Sequence, residues 1–258
     1  KNVFNNVTTI EKIAFPACMD TIPQGFCQNW RNLKEVTLPE GIKKISKNVF
    51  FGCTALTSVT IPASMDSICD NAFTGSGLES IVWPETGVKG FGKNALSNCK
   101  FQSFAIPSWL APVPEAFLQN NYSLKELTWE PRPADEDSVV VKPYAFENLG
   151  VTRITFPEDK DIVLQRNAFS KCNQATEISW PEKSKVIIRG WSVFEQCQKL
   201  PSVTIPDYME SLPQSTFNNC RGIVNIDLGK GLKKLDNYCF NYNSSLKTIK
   251  WSPALESI

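Results

Sequence analysis

A phenylalanine recurs along this chain at nearly even intervals. Phe4, Phe26, Phe50, Phe73, Phe117, Phe146, Phe169, Phe194, Phe217 and Phe240 stand 21 to 29 residues apart once Leu96 fills the one gap, and most intervals are 22 to 25. A fixed period of that length marks a stacked architecture. Each repeat then touches only its neighbours, and none can bury its apolar face alone.

The rest of each repeat is as regular. Leu33-Lys34-Glu35-Val36-Thr37-Leu38-Pro39 returns as Leu56 to Pro62, Leu78 to Pro84, Val151 to Pro157 and Leu200 to Pro206. Weaker copies begin at Ile10, Phe101, Leu124, Ala175, Ile223 and Leu246, which makes eleven strand segments. Alternation with period two puts Val36 and Leu38 on one face and Glu35 and Thr37 on the other. Stacked copies predict a parallel sheet with strands about 4.8 Å apart. Proline closes most segments, where its missing N–H loses no ladder bond. A second apolar pair follows, such as Ile42 and Ile45 or Met209 and Leu212. Asn48, Asn71, Asn94 and Asn167 precede the Phe-column residue by two positions, where each is expected to cap a short helical turn. Three residues past it stands Cys53, Cys99, Cys172, Cys197 or Cys220, or else Asn29, Asn120 or Asn243.

The expected fold is a β-rich solenoid, a right-handed stack of about eleven repeats of 22–25 residues. A parallel sheet forms one face, with short strands and helical turns on the other. One solenoid domain is expected over residues 1–258. The segment Glu130–Asp137 is inserted between Phe117 and Phe146 and belongs in a loop. The chain opens inside a repeat at Val3-Phe4 and stops at Ile258 before another Phe. Neither end carries the polar cap a solenoid needs, so a fragment of a longer chain, or trimmed termini, is expected.

Leu-x-x-Ile-x-Ile-Pro, an apolar pair, Ala-Phe-x-x-Cys and then Leu again resembles the BspA-type leucine-rich repeat over nearly the whole chain. The resemblance implies a leucine-rich repeat solenoid from a secreted or surface-exposed bacterial protein. Some members are adhesins for host matrix proteins or other bacteria. The family shares no catalytic residues, so none is carried over and no cofactor is implied.

Lys plus Arg number 27 and Asp plus Glu 26. That balance gives no reason to expect nucleic acid or an anionic membrane as partner. The longest basic clusters are pairs, Lys43-Lys44 and Lys233-Lys234, read as a solvated outer face. No apolar run approaches the roughly 20 residues of a membrane span. Nine cysteines make an odd count, and at the third position past Phe they interchange with Asn and Ser. A slot shared by those residues is read as small and inward-facing, with free thiols packed as small hydrophobes. Metal binding is not expected, because the chain has no Cys-x-x-Cys and no histidine.

The missing histidine also removes the usual base of Ser and Cys triads. Paired carboxylates remain as candidates, Glu126 with Glu177 or Asp135 with Asp137. The repeat register puts Arg153 between Glu126 and Glu177 at one outward strand position, which reads as an ion-pair ladder. This irregular patch beside the insertion is the first candidate partner surface. Trp83, Trp129, Trp180 and Trp251 take the place of Leu38 or Ile61 and are expected in the core. Trp109 and Tyr208 lie in the turn two residues past Pro, where exposure is expected, and complete the candidate contact residues. The expected function is noncatalytic binding of a protein or glycan, host matrix or another bacterium among them, at the cell surface or beyond it. The alternatives are a structural spacer presenting another domain and, behind it, a carbohydrate-active enzyme.

Overall fold

Alternating apolar residues, a proline turn, a second apolar pair and a Phe turn give every repeat three sides. The computed structural model describes residues 7–132 and 138–258. Val3, Phe4, and the Asp135 and Asp137 carboxylates of the insertion lie outside the described residues.

The first side is built from the predicted segments: Lys12–Ala14, Glu35–Thr37, Ser58–Thr60, Ser80–Val82, Ser103–Ile106, Glu126–Trp129, Arg153–Thr155, Glu177–Ser179, Ser202–Thr204, Asn225–Asp227 and Thr248–Lys250. Each observed pairing is parallel and exactly one repeat apart in register, as with Val36 opposite Ile13 and Ile226 between Val203 and Ile249. Val59 is buried between exposed Ser58 and Thr60, so the alternation works as expected. A second set of strands forms the second side. Thr21–Ile22, Lys44–Ile45, Ser67–Ile68 and Gly90–Phe91 make one sheet; Ser138–Val141, Asp161–Leu164 and Val186–Ile188 another; Ser211–Leu212 and Lys234–Leu235 a third.

The third side corrects the sequence reading. No helix occurs among the described residues. Asn48, Asn71, Asn94 and Asn167 have φ of 59°, 55°, 57° and 56°, so they are left-handed residues and not helix caps. A second left-handed column follows four residues later, with Gly52, Gly75, Asn98, Lys171 and Asn219. Asn and Gly suit both columns because they enter that region at least cost. The left-handed residues bend the chain while alternate N–H groups point at the next repeat. Asn48, Phe50 and Gly52 donate in turn to the carbonyls of Asp70, Ala72 and Thr74. This ladder also corrects the column at two places. Cys27 and Leu96 donate to Val49 and Phe117, so Cys27 is level with Phe50 and Leu118 is level with Leu96. Phe26 and Phe117 therefore stand one place early.

The chain forms two compact units. The first runs to Gln102 and includes Pro114–Ser123; the second comprises Ser103–Val113 and Leu124–Ile258. In the first, Phe50 stacks on Phe73 at 5.1 Å and 16°. In the second, Phe169, Phe194, Phe217 and Phe240 follow one another at 6.0, 5.2 and 5.6 Å, with planes within 17°. Phe50, Phe73, Phe146, Phe169, Phe194 and Phe217 are fully buried.

The slot beside this column carries hydrogen bonds in several turns. Cys99, Cys172, Cys197 and Cys220 direct Sγ at the carbonyls of Phe73, Phe146, Phe169 and Phe194, one turn back, at 3.1–3.6 Å. Asn121 makes the same bond from Nδ2 to Leu96 O at 3.0 Å. The bond is not a requirement of the slot: buried Leu149 and Trp30 fill the same level, and Asn243 Nδ2 has no partner there. Asn121 and Trp30 take this level, in place of the expected Asn120 and Asn29, whose φ of 64° and 61° put them in the left-handed column. All nine cysteines are free, with Cys18 exposed and Cys69 half-buried.

Burial pushes the thiols of Cys53, Cys99 and Cys172 up to about 12, and that of Cys239 to about 11. In an unfolded chain thiols ionise from about pH 8.5. The folded state holds these protons longer, so their contribution is complete below that pH and is lost as pH rises toward 11 or 12. We expect the unfolding free energy in urea to fall above about pH 9, and less steeply in Cys99→Ser/Cys172→Ser. Thiol labelling should find all nine cysteines under denaturing, non-reducing conditions and Cys18 first in the native state. Equal slopes in the two proteins, or fewer thiols, would contradict the slot.

Candidate binding surface

The outward positions of the first-side strands carry charge in three places, one of them Asp227 and Lys250, register partners 2.9 Å apart. Arg153 and Glu177 are register partners, and Arg153 Nη2 meets Glu177 Oε2 at 2.8 Å. Ser179 Oγ donates to the other oxygen, Oε1, at 3.0 Å. Glu126 is exposed opposite Ser103 on its neighbouring strand. Lys12 and Glu35 form the same pair in the first unit, at 2.7 Å. Both pairs are largely exposed, and such pairs contribute little to stability. Glu126 and Glu177 lie two strands apart, about 10 Å at sheet spacing. That exceeds the separation of carboxylates that share a glycosidic bond.

Glu126–Trp129 and Arg153–Thr155 are joined by side chains as well as packing. Thr155 Oγ1 donates to Leu127 O at 2.9 Å, and Trp129 Nε1 donates to Thr155 O at 3.0 Å. At the proline end of these two strands lies an open recess of about 350 Å³, lined by Trp129, Pro131, Phe156, Pro157, Glu158 and Asp159. Its acids are already engaged. Glu158 Oε2 accepts from the Glu182 and Lys183 amides, and Asp159 Oδ2 accepts from the Arg132 amide. What remains at its surface is mainly apolar: the half-buried indole, with the Arg132 guanidinium 6.0 Å from its ring centre, and the exposed Pro131 ring. The first unit has a counterpart of about 540 Å³ around Trp83, with Val82, Pro62 and Pro84.

These recesses correct the expectation for the tryptophans. Trp83, Trp129 and Trp180 are half-buried, and Trp251 is 54 % exposed. An indole overfills the slot that Ile61 occupies at 3 % exposure, so part of the ring stays at the surface. Trp251 follows a strand paired on one side only. The signal was in the sequence: a residue larger than its column allows. Trp109 and Tyr208 are corrected the other way, being half-buried where exposure was expected. Tyr208 turns its hydroxyl inward to accept the Val186 amide at 3.1 Å. Arg132, at 7 % exposure, escaped the sequence reading; its guanidinium donates to the carbonyls of Pro107, Ser108 and Leu110 and anchors the insertion's first residues.

The three-sided repeat, its Phe column and its Cys slot now stand beside known proteins. The BspA type leucine rich repeat region, in six copies, matches residues 1–125, 43–176 and 162–258. The chain belongs to this family. Among solved structures it is similar to the pneumococcal vaccine antigen PcpA, with 18 % identity and a TM-score of 0.57 over 95 % of this chain and 64 % of that one. A leucine rich cell surface protein from Faecalibacterium prausnitzii is similar at 18 % identity and TM-score 0.55, covering 97 % and 75 %. A leucine-rich repeat protein from Bacteroides ovatus is similar at 19 % and 0.51, covering 96 % and 80 %. At these identities the likeness is one of fold. No curated protein matches the chain. Among the described residues no three His, Cys, Asp or Glu side chains gather as metal ligands, and no helix is long and apolar enough to cross a membrane.

Proposed function

We propose that this chain is a noncatalytic binding module, displayed at or beyond a bacterial cell surface, that adheres to a protein or glycan. Its contact surface is the strand face of residues 126–180, with Glu126, Arg153 and Glu177 at one end and the Trp129 recess at the other. The observation that carries this reading is the recess itself, an open apolar hollow on the same strands as Glu126 and Arg153. Half-buried aromatics beside charged groups are favoured contact points. Trp109 and Tyr208 are secondary candidates, and Tyr208's inward hydrogen bond ranks it lower. Surface display is supported by the family and by neighbours described as a cell surface protein and a vaccine antigen.

The test is a binding screen against matrix proteins, mucins and glycans. Trp129→Leu restores the residue type of other repeats, so the fold should survive. We expect it, and Arg153→Ala, to weaken the retained ligand about tenfold or more with little change in melting temperature. Binding that persists in Glu126→Ala, Arg153→Ala, Glu177→Ala and Trp129→Leu places the site elsewhere. A screen with no ligand favours a structural spacer.

A further inference from the structure

Past the second-side strands of the second unit, one cation sits between two aromatic rings. The Arg166 guanidinium lies 5.1 Å from the Tyr144 ring centre and 5.7 Å from that of Trp191. The three come from consecutive turns, because Val141, Leu164 and Ile188 are register partners just before them. Trp191 is 52 % exposed, so folding gains little from an indole there. Tyr144 has φ of 61° in the left-handed column that also holds Asn48, Asn71, Asn94 and, at 62°, Tyr238, so the bend of the repeat itself sets its backbone. Lys142 and Arg189, both exposed, directly follow Val141 and Ile188 and flank the cluster. Among the described residues, none of these three cations is ion-paired.

We infer that this corner binds an acidic glycan, a sugar chain bearing carboxylate or sulfate groups. The exposed indole offers a flat face to the C–H side of a sugar ring. Arg166, Lys142 and Arg189 supply positive charge around it, and a guanidinium held between two rings is already ordered, so little freedom is lost on binding. A peptide is less well served. The amides of Tyr144, Asn167, Arg189, Gly190 and Ser192 are committed to the carbonyls of Arg166, Trp191, Leu164, Leu164 and Gln214, so this backbone offers no free donors for strand addition. A net charge of +1 over the chain argues against nucleic acid. The site uses different segments from the Trp129 recess and does not depend on it.

The experiment measures binding of the intact 258-residue chain to hyaluronan, heparin and neutral dextran, with polyglutamate and oligo(dT) alongside. At least one acidic polysaccharide should bind, dextran should not, and affinity should fall with salt. Trp191→Ala and Arg166→Ala should each weaken that binding about tenfold or more, while Trp191→Phe retains most of it. Trp191 is exposed enough for its variants to melt close to the parent. Trp129→Leu and Arg153→Ala should leave this binding unchanged, which separates it from the strand-face site. Equal affinity for dextran, no binding to either acidic polymer at low salt, or indifference to Trp191→Ala would overturn the inference. So would Trp191-dependent binding of polyglutamate or oligo(dT) that matches or exceeds that of the polysaccharides.

Discussion

Phe169→Ala is expected to lower the unfolding free energy by about 3–5 kcal/mol, the range for truncating a fully buried phenylalanine. Phe169 has no exposed surface, and its ring meets three others: Phe146 at 5.0 Å, Phe156 at 5.9 Å edge-on and Phe194 at 6.0 Å. Truncation removes one ring from the middle of a column, so the turns before and after both lose a packing partner. The slot cannot collapse readily, because backbone bonds fix the turn spacing; Phe146 and Phe169 donate to Ala168 and Val193, one turn on each. Stability in stacked repeats is carried by nearest-neighbour interfaces, so the loss should begin locally and spread to the adjacent turns. Phe169→Leu should lose less, since Leu96 fills the same level in another turn and is fully buried. Urea denaturation of the three proteins gives the comparison. An alanine variant within about 1 kcal/mol of the parent would show that the column is not the core.

The strand faces were legible in the sequence because alternation and period fix them together. Val59 and Ile81 can only pair as they do if Ser58 and Ser80 face outward. The Phe turn was harder. Asn two residues before Phe is equally at home as a helix cap and as a left-handed residue, and the period does not distinguish them. The second column does: Gly52, Gly75, Asn98 and Asn219 recur two residues after the Phe level, and a helix has no use for so many glycines and asparagines there, although Lys171, Gln196 and Tyr242 take the position in other turns. The Cys slot was read as small, inward-facing and holding free thiols, and its cysteines are buried and free; the bonds that its thiols and Asn121 make to carbonyls one turn back were not foreseen. At the candidate surface, the Arg153–Glu177 pair followed from register alone. The Trp129 recess did not, because register gives a side chain's direction and not whether its ring fits. The Tyr144–Arg166–Trp191 cluster was less visible again. Arg166 and Trp191 share one place in the repeat, directly before left-handed Asn167 and Ser192, while Tyr144 stands one place later in the left-handed column itself, and register does not tell whether such rings close on a cation.

Two glycines two residues apart separate close packing from tolerance. A methyl group at Gly90 would meet Ser67 Cβ at 3.6 Å and Asp66 O at 3.8 Å, ordinary contact distances. A methyl group at Gly92 would lie 2.5 Å from the Cys69 carbonyl carbon and closer still to the Asp70 amide nitrogen. Neither residue has positive φ, so the difference is one of approach and not of backbone conformation. Asp70 cannot easily retreat. Its carbonyl accepts from Asn48, its side chain accepts from the Lys93 amide at 3.1 Å, and it pairs with Lys47 at 2.8 Å. Cys69 and Ser46 make the corresponding backbone bonds one and two turns earlier and do carry side chains, so the close approach is not general to this position; Gly190 shares it, against the Arg166 amide nitrogen. Gly92→Ala should therefore destabilise the protein by about 3 kcal/mol, through a forced shift of one turn against the next. Gly90→Ala should stay within about 1 kcal/mol of the parent, and its reduced unfolded-state freedom favours a small gain. Paired urea melts decide the matter, and equal midpoints would remove the close approach at Gly92 as a determinant of the stack.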